Sequence, residues 1–400
     1  MAGLIIGDPV TLTQALASQR IIPGDTLLLR GMTYSGNFTV PFSGTLAEPI
    51  TIKNYLDEHV IMDGQLTVSG NHVKIIGLES MNSVQRNRSV GIGTEGFVLL
   101  GDYIEIVNCI IHDHDQGVSA GASKTGGVYY GNVIYHNGWD DNNGHGMYLQ
   151  NNAGNLKTIK RNIIFDNFAY GIHAWGSTGD VSDFVMDGNT CFENGAPRAI
   201  LQDNILNGNQ NTFTSPKIFN NLTYNKEGQI GSGTLAIGYG TGNQALDVDV
   251  HDNYLVNDGV ALFFKDATIT RFDGNTIIGL LTGAELGDNT QLENYPLTGS
   301  HIVLTDNEYD PRLAQLTIYN WSLADVASVD VSSIFGVGDT IHAKNVQNYF
   351  VDIQELTVAG DGTITVNMQA INRTVATPVG WTAPATTFPR FGAFRLEKAA

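Results

Sequence analysis

A seven-residue phrase with asparagine in its second position recurs along the chain and limits the folds that the chain can adopt. The clearest copies are Gly-Asn-Val-Ile-Tyr-His-Asn at 131–137 and Arg-Asn-Ile-Ile-Phe-Asp-Asn at 161–167. The other copies begin at residues 107, 188, 220, 252 and 274. Consecutive copies lie about 22 to 32 residues apart, which is the length of one supersecondary unit in a solenoid.

The segments around each asparagine have the composition of short strands. They are too short for helices and rich in Ile, Val, Thr, Tyr and Phe. Asparagine tolerates left-handed backbone angles, so a column of asparagines predicts a turn that is stacked from coil to coil. Short parallel strands stacked in this way form a parallel β-helix, and the sequence therefore predicts an all-β protein.

The two ends of the chain follow other patterns. Residues 11–20 allow one short helix, capped by Thr11 or Thr13, that would cover the open first coil. From about residue 300 the apolar residues alternate with period two, which predicts an antiparallel, sandwich-like β domain in which Phe388, Phe391 and Phe394 hold down a proline-rich tail. The expected domains are an N-terminal cap at 1–22, a β-helix at 23–298 and a C-terminal β domain at 299–400.

The charge of the chain excludes several classes of partner. With 21 basic and 40 acidic residues, the formal net charge is −19. A nucleic-acid backbone or an anionic membrane surface requires a basic footprint, so neither is an expected partner. No apolar run is long enough to span a membrane, and Met1 to Ile6 lack the pattern of a secretory signal. Cys109 and Cys191 fit small core positions better than a disulfide.

The repeat resembles a known group of folds. The Asn-x-Ile-x-x-Asn phrase followed by Gly-Ile, with the Gly-Asp-Thr-Leu-Leu-Leu-Arg-Gly-Met-Thr-Tyr opening at 24–34, is similar to the right-handed, single-stranded parallel β-helix proteins. This group includes polysaccharide lyases, glycosidases and phage tailspikes. The segments 144–148 and 170–175 resemble a bacterial and phage branch of it. The resemblance covers about residues 10–295 and implies a carbohydrate partner, but no catalytic motif carries over.

The resemblance also implies that the strand after the third turn of each coil lines the substrate cleft. Because side chains alternate along a strand, placing Gly146 over Gly171 turns Tyr148 and His173 outward. Gln150 and Trp175 follow two residues later on the same face. Stacked coils lie about 4.8 Å apart, so the sequence predicts that Tyr148 neighbours His173 and that Gln150 neighbours Trp175.

The loop before this strand, residues 138–145, is polar apart from Trp139, and such inserted loops often build binding surfaces. Trp139 and Trp175 are expected to stack on sugars, and Asp140, Gln150, Asp203 and Lys265 complete the expected substrate-binding set. The alternative for each aromatic ring is packing against a neighbouring loop or subunit.

Two catalytic schemes remain open. A lyase would use His173 or His145 as the base and Tyr148 as the acid. A hydrolase would need two carboxylates, for which Asp140, Asp141 and Asp203 are candidates. The expected catalytic set is therefore His145, Tyr148, His173 and Asp141. Alternatively, the outward His and Tyr side chains only form stacks with the side chains at the same position of neighbouring coils and have no catalytic role.

The sixth position of the repeat contains residue types that can bind a metal. It reads His112, His136, Asp166, Glu193, Asn225 and Asn257. Polar ladders give the same pattern without a metal, and we expect neither a metal nor a cofactor. Cationic side chains near the proposed face are few (Lys124, Lys157, Lys160, Arg161, Arg198 and Lys265), which favours a neutral or lightly charged glycan.

These observations predict an extracellular or virion-borne protein of the tailspike type that binds, and in one scheme cleaves, a surface polysaccharide. A homotrimer is the expected assembly because tailspike-like proteins are commonly trimeric. One alternative is a non-catalytic structural or adhesive protein. Another is a secreted bacterial polysaccharide lyase.

Overall fold

The computed structural model describes residues 3–18, 20–85, 87–121, 124–229, 231–239 and 244–399. The chain forms two compact units. The first comprises Met1–Glu293 with Val379–Trp381, and the second comprises Asn294–Pro378 with Thr382–Ala400. Met1 and Ala2, where the comparison with a secretory signal starts, lie outside the described residues.

Within its described residues, the first unit contains thirty strands that belong to one parallel sheet. Those of the first half are β1 (Gly3–Ile6), β2 (Thr26–Leu29), β3 (Thr33–Ser35), β4 (Phe38–Val40), β5 (Ile50–Asn54), β6 (Ile61–Asp63), β7 (Leu66–Val68), β8 (Val73–Ile76), β9 (Glu79–Met81), β10 (Glu95–Leu99), β11 (Glu105–Val107), β12 (Ile110–His112), β13 (Gln116–Ala120), β14 (Val128–Tyr130) and β15 (Val133–Tyr135). The others are β16 (Met147–Leu149), β17 (Lys157–Lys160), β18 (Ile163–Phe165), β19 (Ile172–Gly176), β20 (Phe184–Asp187), β21 (Thr190–Phe192), β22 (Ile205–Asn209), β23 (Phe213–Thr214), β24 (Lys217–Phe219), β25 (Leu222–Tyr224), β26 (Leu235–Ile237), β27 (Ala245–His251), β28 (Tyr254–Phe264), β29 (Ala267–Thr282) and β30 (Asp288–Leu292).

The strands stack in three files, which we call the first, second and third faces of the β-helix. In one coil, β14 lies on the first face, β15 on the second and β16 on the third. Each pairs in parallel with the strand three positions later, β17, β18 and β19 respectively. The third face continues through β22 and β26 into the second half of β28. The predicted parallel β-helix is therefore confirmed.

A file of asparagines joins the coils at the turn between the first and second faces. The side-chain amide of Asn132 donates to the Oδ1 atom of Asn162, and the same bond repeats at 2.7 to 3.0 Å through Asn189, Asn221, Asn253, Asn275 and Asn289. Before each of these asparagines except Asn289, the preceding residue has the left-handed backbone and the asparagine itself does not, as in Gly131, Arg161 and Gly188. The stacked turn is therefore built from two adjacent columns.

The first copy of the phrase is out of register with the other copies, which corrects the sequence alignment. Asn108 has a φ of +54° and belongs to the left-handed column. Cys109 occupies the place of the ladder asparagine, and its backbone N–H donates to Asn132 Oδ1 at 2.9 Å. Cys109 and Cys191 are free, buried cysteines, as predicted.

A second asparagine ladder, which the sequence analysis did not predict, runs through the turn after the second face. Its members are Asn137, Asn167, Asn194, Asn204, Asn225 and Asn257. In these turns, too, the amides satisfy backbone carbonyls, as Asn137 does for Ile111 and Tyr135. The two ladders fix the start and the end of each strand on the second face.

The helix α1 (Pro9–Ala17) precedes the first full coil and buries Leu12, Ala15 and Leu16. Its N-cap is Asp8, whose side chain accepts from the N–H of Thr11. The predicted caps Thr11 and Thr13 are wrong because both lie inside the helix. A short 3-10 helix, Ala196–Arg198, interrupts the chain between β21 and β22.

The second unit is antiparallel. Its strands are β31 (His301–Asp306), β32 (Leu313–Tyr319), β33 (Val326–Asp330), β34 (Thr340–Asn345), β35 (Ile353–Thr357), β36 (Thr363–Asn367) and β37 (Phe391–Lys398), with 3-10 helices at Val346–Asn348 and Ala370–Asn372. A five-stranded sheet has the order β31-β32-β37-β34-β35, and β33 pairs with β36. One apolar core joins the two sheets, and Phe388 and Phe394 are part of it. The predicted sandwich-like domain is confirmed, with the C-terminal tail as the central strand β37.

Candidate functional site

The third face brings together the side chains that the sequence predicted there. Tyr148 lies beside His173 in the pairing of β16 with β19. Gln150 Nε2 donates to the backbone carbonyl of Trp175 at 2.9 Å. The alternate residues Met147 and Ile172 are fully buried in the core. The predicted lateral neighbours are therefore present on one face.

His145 and His173 form a hydrogen-bonded pair beneath this surface. His145 Nε2 and His173 Nδ1 are 2.9 Å apart, and the two residues are only 3% and 9% exposed. Burial lowers the pKa of His145 well below its usual value, and the neighbouring His173 acts in the same direction. Burial also lowers the pKa of His173 to about 3. Both imidazoles are neutral at physiological pH.

The hydrogen bonds of the pair assign its tautomers. The N–H of Tyr170 lies 3.4 Å from His145 Nδ1, which must then be the acceptor. A neutral imidazole carries one proton, so His145 Nε2 is the donor to His173 Nδ1. His173 consequently carries its proton on Nε2. In this tautomer His173 offers a hydrogen-bond donor at Nε2 and has no free nitrogen to act as a base there.

A continuous set of rings extends from the histidine pair along the face. The Tyr170 and His173 rings are stacked with centroids 4.3 Å apart, and the rings of His173 and Trp175 are almost parallel at 5.9 Å. Trp175 meets Tyr239 edge to face at 4.2 Å. Tyr239 is 48% exposed. Flat, partly exposed rings of this kind are suited to the apolar faces of sugars.

A cleft of about 430 Å³ opens beside these rings. Tyr170 and Tyr239 form part of its wall, and its apolar lining includes Leu206, Ala236 and Phe263. Its polar lining includes Asp203, Ser232 and Lys265. This volume falls within the range of about 300–1,000 Å³ that is usual for small-ligand sites. The structure thus brings two predicted substrate-binding residues, Asp203 and Lys265, into one cleft.

Among the described residues that line this cleft, Asp203 is the one with a carboxyl group. Burial raises its pKa to about 7, and a hydrogen bond from the backbone N–H of Gly233 opposes the rise. Burial raises the pKa of Tyr170 to about 12, and the negative charge of Asp203 adds to the effect. Near neutral pH a substantial fraction of Asp203 is therefore protonated and able to donate a proton.

Residues 139–141, in the loop before the third face, belong to a different neighbourhood. Asp140 lies 3.5 Å from the guanidinium of Arg198, and Asp141 accepts from the backbone of Asn142 and from Asn143. Trp139 lies against Gly91. These three predicted site residues therefore make contacts around the turn before the third face. Their assignment as catalytic or sugar-binding residues stays a prediction.

The residues of the sixth repeat position are divided among three adjacent columns, since Asn225 and Asn257 belong to the second asparagine ladder. His112 pairs with Tyr135, and it is Asp113 that shares the left-handed turn position with His136, Asp166 and Glu193. His112 lies between Glu79 and Asp113, at 3.0 and 2.8 Å, and these contacts raise its pKa to about 9 against the effect of burial. Among the described residues, no group of His, Cys, Asp and Glu side chains has a geometry that could hold a metal ion.

A buried charge network includes this histidine. His59 contacts the second carboxylate oxygen of Glu79, and the guanidinium of Arg88 contacts Asp113. Arg88 is fully buried and also donates to the backbone carbonyls of His136 and Gly138 at 2.9 and 2.6 Å. These bonds satisfy the charges and stabilise the turns that lead to the third face.

The two tyrosines of the cleft, Tyr170 and Tyr239, were not predicted as site residues from the sequence. Tyr170 immediately precedes Gly171, as His145 precedes Gly146, so the repeat itself contained the signal for it. Tyr239 follows β26 in a coil whose sequence lacks the repeat phrase at this point. The neighbouring sequence therefore contained no signal that Tyr239 belongs to the site. Among the predicted cations, Lys157 is buried on the first face and only 1% exposed, so it is not part of the cleft.

Residues 50–191 match the family model of the right handed beta helix region. The predicted resemblance to right-handed parallel β-helix proteins is therefore confirmed, and the fold is a right-handed parallel β-helix followed by a small antiparallel region. No curated protein sequence matches the chain. No helix of the described ranges is long and apolar enough to cross a membrane.

Several solved structures are similar in fold. The alginate lyase from Paenibacillus sp. str. FPU-7 is 17% identical over 66% of this chain and 98% of the lyase, with a TM-score of 0.45. The pectate lyase Pel9A is 14% identical over 65% and 73% of the two chains, with a TM-score of 0.46. The Dettilon tailspike protein is 12% identical over 98% and 89%, with a TM-score of 0.40. None of these structural similarities identifies a role for the residues of the cleft.

Proposed function

We propose that this protein binds a polysaccharide along the third face of its β-helix and cleaves it in the cleft beside Tyr170. The observation that carries the proposal is the position of Asp203 in a cleft walled by tyrosine rings. Rings provide stacking surfaces for sugars, and a carboxyl group that is partly protonated at neutral pH provides an acid. A binding surface and a proton donor are two components that glycan cleavage requires, and a base or nucleophile is the third.

Asp203 is the general acid in this proposal. Cleavage of a glycosidic bond leaves an oxygen that must gain a proton, whether water attacks or an elimination occurs. A carboxylic acid with a pKa of about 7 is matched to that task near neutral pH. His173 supplies a hydrogen-bond donor to the sugar, and Trp175 with Tyr239 holds a neighbouring ring.

The rival proposal is a non-catalytic adhesive protein that uses the same face. It is favoured by the neutral, mutually bonded histidine pair, which has the character of a structural ladder. The finer expectations are that the protein is extracellular or virion-borne, of the tailspike type, and a homotrimer. They rest on the family resemblance alone, and sedimentation in solution would test the trimer.

Turnover distinguishes the two proposals. The protein is incubated with capsular, exopolysaccharide and plant polysaccharides while reducing ends and the ultraviolet absorbance of unsaturated uronates are followed. Reducing ends without absorbance indicate hydrolysis, and both signals together indicate a lyase. We expect D203N to lose turnover and to keep binding, whereas the matched control D288N, which alters an exposed carboxylate on β30, keeps both.

The same assay tests whether Tyr148 and His173 contribute to turnover, His173 as a hydrogen-bond donor to the sugar. Their alanine variants should lose most turnover while the circular dichroism spectrum is unchanged. Binding without turnover of any polysaccharide would support the adhesive alternative. Absence of both binding and turnover would contradict the proposed function.

A further inference from the structure

We propose that the cleft selects a heteropolysaccharide in which one sugar per repeat is anionic, and that the anion pairs with Lys265. This inference rests on the proposed function, because it names the class of glycan that the same cleft would take. Two observations concern Lys265: it lines the cleft, and its ammonium group has no partner within the described structure. A third is that the residues around Lys265 are apolar or acidic.

Lys265 is a partly buried cation at the end of the third face. It follows Phe264, which pairs with Ile237 in β26, and it lines the cleft together with Phe263. Among the described residues, no ion pair or hydrogen bond engages its side-chain nitrogen. The other described residues that line the cleft carry no positive charge.

A neutral polymer would be a poor match for this cation. Covering the ammonium with uncharged sugar would remove part of its hydration without a charged partner in return. A carboxylate, sulfate or phosphate on the sugar above Lys265 would form a charge-assisted hydrogen bond and offset that loss. The lysine therefore favours an anionic substituent at this one point.

A polymer with an anion on every sugar would also be a poor match. The lining next to Lys265 is apolar, with Leu206, Ala236 and Phe263. The adjoining Asp266 is exposed, and the whole chain carries a net charge of −19. Repeated negative charges would lie against carbon surfaces or against other negative charges, so one anion per repeat is the pattern that the cleft accommodates.

The distance along the face requires that the anion and the stacked ring belong to different sugars. Trp175 pairs with Gly208, which neighbours Gly238, and Gly238 neighbours Lys265. Three coil spacings of about 4.8 Å place Trp175 and Lys265 about 14 Å apart along the β-helix axis. A sugar on Trp175 and an acidic sugar at Lys265 are thus separate units of one chain.

Binding measurements with defined polymers test this inference. The probes are hyaluronan and xanthan, which contain acidic and neutral sugars within one repeat, their carboxyl-reduced derivatives, alginate with an acid on every unit, and neutral dextran. We expect hyaluronan or xanthan to bind about tenfold more tightly than its reduced derivative. K265Q should lose about the same factor on the native polymer and nothing on the reduced one.

Two variants control for nonspecific effects of charge. K265R should keep the preference because it keeps the cation, and K217Q removes an exposed lysine of the first face and should bind as wild type does. Equal binding of native and reduced polymers, a preference for alginate or dextran, or equal effects of K265Q and K217Q would overturn the inference while leaving the proposed function in place. Binding of none of these probes would contradict both the inference and the proposed function.

Discussion

The asparagine ladder makes a quantitative prediction for Asn189, which is fully buried in the middle of the file. Its amide donates to the carbonyl of Ile159 at 2.8 Å and to Asn221 Oδ1 at 2.9 Å. Its oxygen accepts from the backbone N–H of Asn162 at 3.1 Å and from the Asn162 side chain at 2.9 Å. One side chain therefore completes the hydrogen bonds of three consecutive coils.

Asn189→Ala would remove these partners without a replacement. The Asn162 amide keeps its bond to the Tyr129 carbonyl, and Asn221 Oδ1 keeps its bond from the Asn189 backbone N–H. The Ile159 carbonyl lies within the parallel ladder of β17 with β20, so the group left without a partner is the buried Asn162 N–H. At about 1–3 kcal/mol for a buried unsatisfied group, the variant should lose roughly 1–3 kcal/mol of unfolding free energy.

Urea unfolding followed by both circular dichroism and tryptophan fluorescence measures this loss, and coincident transitions justify a two-state analysis. The matched control is Asn211→Ala, since Asn211 is exposed and its side chain makes only a 3.4 Å contact with Ser177. The control should change the free energy of unfolding by less than about 0.5 kcal/mol. Equal, small effects of the two substitutions would refute the argument that the ladder stabilises the coils.

Three further predictions concern the site and the charge network. If Asp203 is the acid, kcat/KM should fall as pH rises through about 7, and an activity that is still rising at pH 9 would contradict this role. Trp175→Ala should weaken glycan binding about tenfold in isothermal titration calorimetry, with the circular dichroism spectrum unchanged. An unchanged affinity would contradict the role of Trp175 as a stacking surface for sugars. The pKa of His112 is raised from 6.5 to about 9 by Asp113 and Glu79, so its stabilising contribution is full below pH 6.5 and is lost as pH rises through about 9. H112Q should therefore abolish a decline in unfolding free energy on the order of 3 kcal/mol between pH 6.5 and 9, and an unchanged decline would contradict the assignment.

Much of the β-helix could be predicted because each turn of one kind needs the same residue type, and this requirement repeats visibly in the sequence. The Asn162 column was visible in the sequence because one amide is needed in every turn of that kind. The side-chain alternation then placed Tyr148 beside His173 without further information. The first copy was misaligned because Asn108 is a suitable residue for the neighbouring left-handed column, and the phrase alone cannot distinguish the two columns.

The parts that could not be predicted depend on contacts between segments. The burial of His145 follows from its bond to His173 and from the rings around it, none of which the repeat specifies. Tyr239 reaches the cleft from a coil without the phrase. By contrast, the cap of α1 was predictable, because Asp8 before Pro9 is a standard helix start that the choice of Thr11 or Thr13 overlooked.

A structure of D203N with a bound oligosaccharide from the substrate tests the central claim most directly. The account predicts sugar rings against Tyr170, Trp175 and Tyr239, with a glycosidic oxygen within hydrogen-bonding distance of the substituted side chain. An oligosaccharide bound elsewhere, for example beside Trp139, with the cleft free of sugar, would contradict it.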